Sequence, residues 1–189
     1  MTDIDCLSGF HVRVPMVDNQ LCRFELNFNK KFEVIMNIEI KPVIDPSNDK
    51  RVILLIEQLN AALNHITGND GSKNADLADF SQESALFLLA LRNGEAVACG
   101  GFRPLSSTTC ELKRMFAMEK KSGLGLRILQ ELESAAKSYG YQRICLETRR
   151  INHVAVNFYL KNGYQVIENY GVYVGRSEAV CFGKMLGFY

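Results

Sequence analysis

At 189 residues, with 47% hydrophobic and 23% charged content, the chain has the size and composition of an ordinary globular protein with one sizeable core. Its formal net charge of +1 supplies no global field toward nucleic acid, and no window approaches the roughly 18 apolar residues that span a bilayer. The six cysteines stand singly without a CxxC pair, which reads as reduced thiols in a cytoplasmic protein rather than a disulfide framework or a zinc site.

The N-terminus, MTDIDCLSGF, has neither a basic n-region nor an apolar h-region, so no secretory signal is expected there. Residues 1–35 form an expected N-terminal extension. Phe10, Val12, Val14 and Met16 alternate with other residues, and Cys22, Phe24, Leu26 and Phe28 alternate with Arg23, Glu25, Asn27 and Asn29. Two readings stand: a hairpin, or a poorly ordered leader outside the domain.

From Met36 the pattern becomes a regular alternation of elements, and residues 36–189 are expected to make one domain. Asn37–Val43 reads as a strand. Pro46–His65 reads as a helix with Val52, Leu55, Ile56, Leu59 and Leu63 on an apolar stripe. A polar stretch follows, with a short helix near Ala75–Phe80. Ala85–Leu91 and Ala96–Phe102 are apolar runs joined by Arg92-Asn93-Gly94-Glu95, and the Asn-Gly pair indicates a hairpin. Thr108–Met118 reads as a longer strand and Gly123–Tyr139 as a helix. Arg143–Glu147 reads as a strand and Ile151–Lys161 as a helix stopped by Gly163. Tyr164–Glu168 and Ala179–Phe188 are the last strands. The order predicts an α/β fold: one domain with a mixed, mostly antiparallel sheet flanked by helices.

The stretch Glu119-Lys-Lys-Ser-Gly-Leu-Gly-Leu-Arg-Ile-Leu129 carries the first chemical signal. Glycines ahead of a helix let backbone N–H groups reach a ligand, and the first helical turn carries unpaired donors and partial positive charge. Together they favour a pyrophosphate. No GxxxxGK[ST] occurs, and the third glycine of a dinucleotide fingerprint is replaced by Ile128. On these residues alone an anion site and a solvated lysine pair with a glycine turn both stay open.

Three linked motifs narrow the reading. Lys120-Lys-Ser-Gly-Leu-Gly125 resembles motif A of the GNAT N-acetyltransferase superfamily, Q/R-x-x-G-x-G/A, with lysine in the first place. Glu111-Leu-Lys-Arg-Met-Phe-Ala-Met118 resembles that family's fourth strand. Asn152-His-Val-Ala-Val-Asn-Phe-Tyr-Leu-Lys-Asn-Gly-Tyr164 resembles its N-x-x-A-x-x-x-Y-x-K-x-G-[FY] helix. ELKRMF with LET and AVCFGKML is similar to a bacterial group of acetyltransferases within the superfamily. The resemblance spans about Met36 to Leu186.

The resemblance implies an acetyl-CoA-dependent N-acetyltransferase working by direct transfer. It implies that the coenzyme A pyrophosphate is held by Lys120, Lys121, Ser122, Gly123, Leu124, Gly125 and Leu126. The pantetheine arm would lie along the main chain of Met115, Phe116 and Ala117. Asn152 would touch the coenzyme A arm, and Tyr159 would protonate the departing thiolate. The two are seven residues apart and so share a helix face. Glu111 is the candidate base; strand alternation would put it on the face of Met115. No metal is implied, and His11, His65 and His153 show no metal-ligand spacing.

The acceptor is expected to be a small-molecule amine lying between residues 64–81 and the loop Asn169–Arg176. Asp70, Asp76 and Asp79 against Lys73 would favour a cation, with Tyr170 and Tyr173 as an aromatic wall. Two alternatives are a protein or peptide acceptor, and a CoA-binding regulatory module without turnover. No nucleic-acid or membrane partner is expected. Homodimerisation through the final strand, Val180 to Phe188, is a possibility.

Overall fold

A computed structural model describes residues 38–68 and 76–187. The N-terminal extension, for which a hairpin and a leader were both expected readings, lies outside the described residues, as do Asp70, Lys73 and Phe188. The chain divides into two units, Met1–Ile38 and Glu39–Tyr189.

The elements run β1 (Ile38–Pro42), α1 (Lys50–Thr67), a 3-10 turn (Leu77–Phe80), β2 (Leu86–Arg92), β3 (Glu95–Pro104) and β4 (Thr109–Ala117). Then come α2 (Leu124–Ser138), β5 (Arg143–Arg149), α3 (His153–Lys161), β6 (Gln165–Ile167), a second 3-10 turn (Gly171–Tyr173) and β7 (Ala179–Met185). They form one seven-stranded sheet of order β1-β2-β3-β4-β5-β7-β6. β4 and β5 are parallel; the β2–β3, β3–β4, β5–β7 and β6–β7 pairs are antiparallel. The sheet is mixed and mostly antiparallel, as the pattern implied.

Local chemistry sets the helix ends. α1 begins at Lys50, not Pro46, because Asp49 is extended and its side chain accepts the Arg51 N–H at 2.9 Å. It ends at Gly68, whose φ of 69° closes an N–H bond to the Asn64 carbonyl. The stripe Val52, Leu55, Ile56 and Leu59 packs on Phe80, Phe87, Leu89 and Cys99. α2 covers the other face with Ile128, Leu129 and Leu132, each fully buried. Each contributes about 1.5–3 kcal/mol of burial. Among the described residues, no helix is long and apolar enough to cross a membrane.

One irregularity positions the site. β3 and β4 pair Phe102 with Leu112 and Gly101 with Lys113, but then Cys99 with Phe116. Arg114 and Met115 therefore oppose Gly100 alone, and Arg114 takes a φ of 57°. This is a β-bulge, with an extra residue on one strand. A Cβ on Gly100 would lie 2.4 Å from Met115 Sδ, so the glycine makes room for that side chain beside Ile128 and Leu132. The bulge overturns one expectation. Simple alternation puts Glu111 and Met115 on one face; with the extra residue, Glu111 shares the α1 face with Lys113 and Phe116, and Met115 turns to the α2 face.

β7, the strand considered for pairing across a dimer, is interior to the sheet. It lies between β5 and β6, with Cys181–Gly183 bonded on the second side to Gln165–Ile167.

Candidate active site

β4 and β5 pair only along Thr109–Leu112 and Arg143–Leu146. From Lys113 onward β4 has no β5 partner, so the two parallel strands open into a wedge. The carboxyl ends of parallel strands are where ligands enter α/β sheets. A cavity of about 750 Å³ fills this region, walled by Lys113, Arg114 and Met115 from β4 and by Glu147, Thr148 and Arg149 from β5.

Asn152, Ala155 and Tyr159 line the same cavity, so the spacing did bring Asn152 and Tyr159 together. Asn152 precedes the helix rather than belonging to it. It is the N-cap of α3, and its Oδ1 accepts the Ala155 N–H at 3.2 Å. Tyr159 is buried in an aromatic nest, edge-on to Phe158 and Tyr164 and tilted against Phe182. Burial pushes its phenol well above the ordinary tyrosine range. Its hydroxyl makes no hydrogen bond among the described residues. A hydroxyl left without a partner at a cavity wall is free to donate.

The glycine-rich loop precedes α2 as expected. Gly123 caps the helix with a φ of 85°, and Lys121 also has a positive φ of 61°. Ser122 Oγ donates to the Glu119 carbonyl at 2.9 Å and accepts the Leu124 N–H at 3.4 Å. The first bond of the helical ladder is Arg127 N–H to Gly123 carbonyl at 3.1 Å, so the Gly125 and Leu126 donors precede it. Arg92 grips the Glu119 carboxylate with two bonds and holds it below the usual carboxylate range. Lys120 and Lys121 are exposed, and neither ammonium has a partner among the described residues. Their charges remain available to an anion.

Glu111 is 2% exposed and fully engaged. Arg103 donates to its Oε2 at 3.0 and 3.2 Å, Lys113 Nζ lies 3.1 Å from Oε1, and the Tyr170 hydroxyl donates to Oε1 at 2.8 Å. Lys113, itself buried, also donates to the Tyr173 hydroxyl at 2.5 Å. Arg103 extends the chain of contacts to Asp79. Tyr170 and Tyr173 stand edge-on, 5.7 Å apart. The two rings expected as an aromatic wall pack on each other but do not line the cavity, and both hydroxyls are tied into the ionic network.

The sequence reading passed over Glu147 as a base. This carboxylate on β5 is partly buried, lines the cavity, and has no hydrogen bond or ion pair among the described residues. Burial raises its pKa above the ordinary carboxylate value; Lys113, Arg149 and Arg176 oppose that rise, and Glu111 adds to it. The signal was present in Glu147 closing a strand just before the Asn152 helix, but its meaning depends on β4 and β5 being parallel. Of the acids expected to attract a cationic acceptor, the two described ones already have partners within the protein. Asp76 accepts the Ala78 N–H at 3.0 Å and Asp79 pairs with Arg103. Among the described residues, no group of three His, Cys, Asp or Glu could hold a metal ion.

Comparison with known proteins places the chain in company. The model of the acetyltransferase (GNAT) family matches residues 54–164, more than half of the chain. The IAA acetyltransferase of Azospirillum brasilense is 29% identical over 125 residues, covering 65% of this chain and 82% of that protein. A Klebsiella pneumoniae structure described as an acyl-CoA N-acyltransferase is 26% identical with a TM-score of 0.67, covering 79% of this chain and 98% of that one. The PaiA N-acetyltransferase of Thermoplasma acidophilum, solved in complex with coenzyme A, has a TM-score of 0.57 at 19% identity, covering 78% and 98%.

Proposed function

The chain belongs to the acetyltransferase (GNAT) family and is an N-acetyltransferase, and we propose that it moves the acetyl group of acetyl-CoA directly to a small-molecule amine in the wedge between β4 and β5. The observation that carries this is a coincidence on one cavity wall: an unpaired stretch of β4, an unbonded phenol at Tyr159 and an unpaired carboxylate at Glu147.

The residues present fit acetyl-CoA. The stretch Met115–Ala117 has a backbone edge on the wedge side that an extended ligand arm can join by strand addition. Lys120 to Leu126 offer backbone donors at a helix start, with two uncommitted lysines, for the pyrophosphate. Asn152 stands where that arm would pass. The co-substrate supplies an acyl group activated as a thioester.

The chain's own residues then divide the proton work. A primary amine is protonated at neutral pH and must lose a proton before attack. We assign that proton to Glu147, whose raised pKa strengthens it as a base. A β4 N–H polarises the acyl carbonyl as an oxyanion donor. Tyr159 gives its proton to the departing sulfur and is reprotonated by the second proton, which the nitrogen sheds as the amide forms; Glu147 returns the first proton to solvent. Cysteine nucleophiles are not needed. Cys99 and Cys110 are buried, and burial pushes both thiols up to about 12, which keeps them protonated. These thiols fit a reducing compartment, and we place the protein in the cytoplasm.

A volume near 750 Å³ falls in the range of small-molecule sites. The reading is tested by following CoA-thiol release over a panel of amines and peptides, with Tyr159→Phe as control. Failure to bind acetyl-CoA would sink it, and peptides outperforming every small amine would move the acceptor to proteins.

A further inference from the structure

The acceptor end carries a charge pattern that the acetyltransferase reading does not use. Glu111, Asp76 and Asp79 are committed to partners within the protein. On the cavity wall two opposite charges remain uncommitted. One is Glu147. The other is Arg176, an exposed residue of the cavity wall whose guanidinium has no hydrogen bond or ion pair among the described residues.

Arg176 does not stand on a loose loop. Asn169 Nδ2 donates to the carbonyls of Tyr173 and Arg176, at 3.1 and 3.0 Å. The Arg176 N–H donates to the Tyr173 carbonyl at 3.1 Å, and Tyr173 is pinned through its hydroxyl to the buried Lys113. The segment is thereby tied to β4, beside the place proposed for the acyl group. Arg176 is close enough to Glu147 for its charge to be felt there.

We propose that the acceptor is an amine that also bears a carboxylate, an amino-acid-like zwitterion, with its nitrogen at Glu147 and its carboxylate on Arg176. A guanidinium presents a planar fork of donors that matches a carboxylate with two bonds. Arg176 is exposed at the cavity wall, so a neutral amine would leave its fork to water, and a cationic amine without an anionic group would meet it with like charge. A dianionic phosphate fits less well, because it would crowd Glu147 with like charge.

The inference rests on the acetyltransferase reading, and one experiment separates their failures. The full chain is assayed for CoA-thiol release with the twenty common α-amino acids and their primary amides. Coenzyme A affinity is measured alongside by calorimetry. For at least one side chain, kcat/KM for the acid exceeds that of its amide by about ten- to a hundredfold. Arg176→Gln closes that gap by raising KM for the acid and leaves coenzyme A affinity unchanged. Equal turnover of acids and amides overturns the proposal, as does a gap that survives Arg176→Gln. Loss of coenzyme A affinity in Arg176→Gln overturns it too, because the arginine would then serve the donor. If coenzyme A binds but none of the acids is acetylated, the carboxylate is wrong and the donor site stands. If coenzyme A does not bind, both readings fall.

Discussion

The wall proposed for the donor and the wall proposed for the acceptor are built by different means. On the donor side, a ligand meets mostly main chain: the β4 edge after Leu112 and the N–H groups that open α2. On the acceptor side the wall is set by side chains from distant parts of the sequence, held by long-range contacts behind the cavity. Tyr170 reaches Glu111 across 59 positions and Tyr173 reaches Lys113 across 60. A backbone site needs particular conformations and small residues at a few adjacent positions. A side-chain site needs the whole fold to bring its parts together. The first can be recognised by a short pattern and serves one ligand across many proteins; the second is free to change its ligand one side chain at a time.

The sharpest test lies where the walls meet. Tyr159→Phe removes one hydroxyl that makes no hydrogen bond among the described residues, so folding is expected to be unaffected. The loss of a general acid lowers kcat by about 10²- to 10⁴-fold. Steady-state kinetics with thermal unfolding check both parts. A normal kcat in a normally folded variant removes Tyr159 from the chemistry and leaves it as an aromatic core residue.

Glu147→Gln and Glu111→Gln then separate a reacting carboxylate from a supporting one. For Glu147 the expected loss of kcat/KM is about a hundredfold, the low end of general-base effects because water can take over part of the role. Because its pKa is raised, the rate of the unaltered enzyme climbs with pH through a point above the ordinary carboxylate value near 4.3. That limb disappears in Glu147→Gln. The stability consequence runs the same way. The folded state binds this proton more tightly than the unfolded chain, so the group's contribution is complete below pH ~4.3 and is lost as pH rises through the raised value. At neutral pH, Glu147→Gln therefore costs no Tm.

Glu111→Gln should do the reverse. It leaves Lys113 buried beside a neutral amide and weakens the bonds from Arg103, at a cost of about 2 kcal/mol. Urea unfolding reads that loss, and the acid limb of the pH–rate profile persists. If the limb vanishes in Glu111→Gln and survives in Glu147→Gln, the two roles are exchanged.

The same division explains what could be read from the sequence. The apolar stripe Val52, Leu55, Ile56 and Leu59 has helical spacing, and its burial followed. The Gly123-Leu-Gly125 loop and the Asn152–Tyr164 motif around α3 were legible because their residues are neighbours in the chain. The bulge was not, since Arg114 carries no mark of a positive φ; the clue sits on the partner strand, where Gly100 leaves space for Met115. Without the bulge, Glu111 came out on the wrong face. Asp79 looked like a loop charge because Arg103, its partner, lies 24 positions away. Glu147 was visible as an acid at a strand end, but nothing local says that β5 leaves β4 after Leu146.

The smallest expected effect tests whether the donor wall is main chain in the sense argued. In Gly125→Ala the new Cβ meets only the Phe158 ring, at 3.9 Å, an ordinary contact. Gly125 already lies inside α2, so alanine stabilises the helix by about 0.5–1 kcal/mol. If the N–H groups of this turn cradle a pyrophosphate, the methyl group stands in the ligand's approach, and coenzyme A affinity falls about three- to tenfold while Tm rises. The opposite signs are the point, since a damaged fold would lower both quantities together. Calorimetric titration with coenzyme A decides it. An affinity that stays put would mean that the phosphates lie elsewhere, with Lys120 and Lys121 reduced to solvated surface charges.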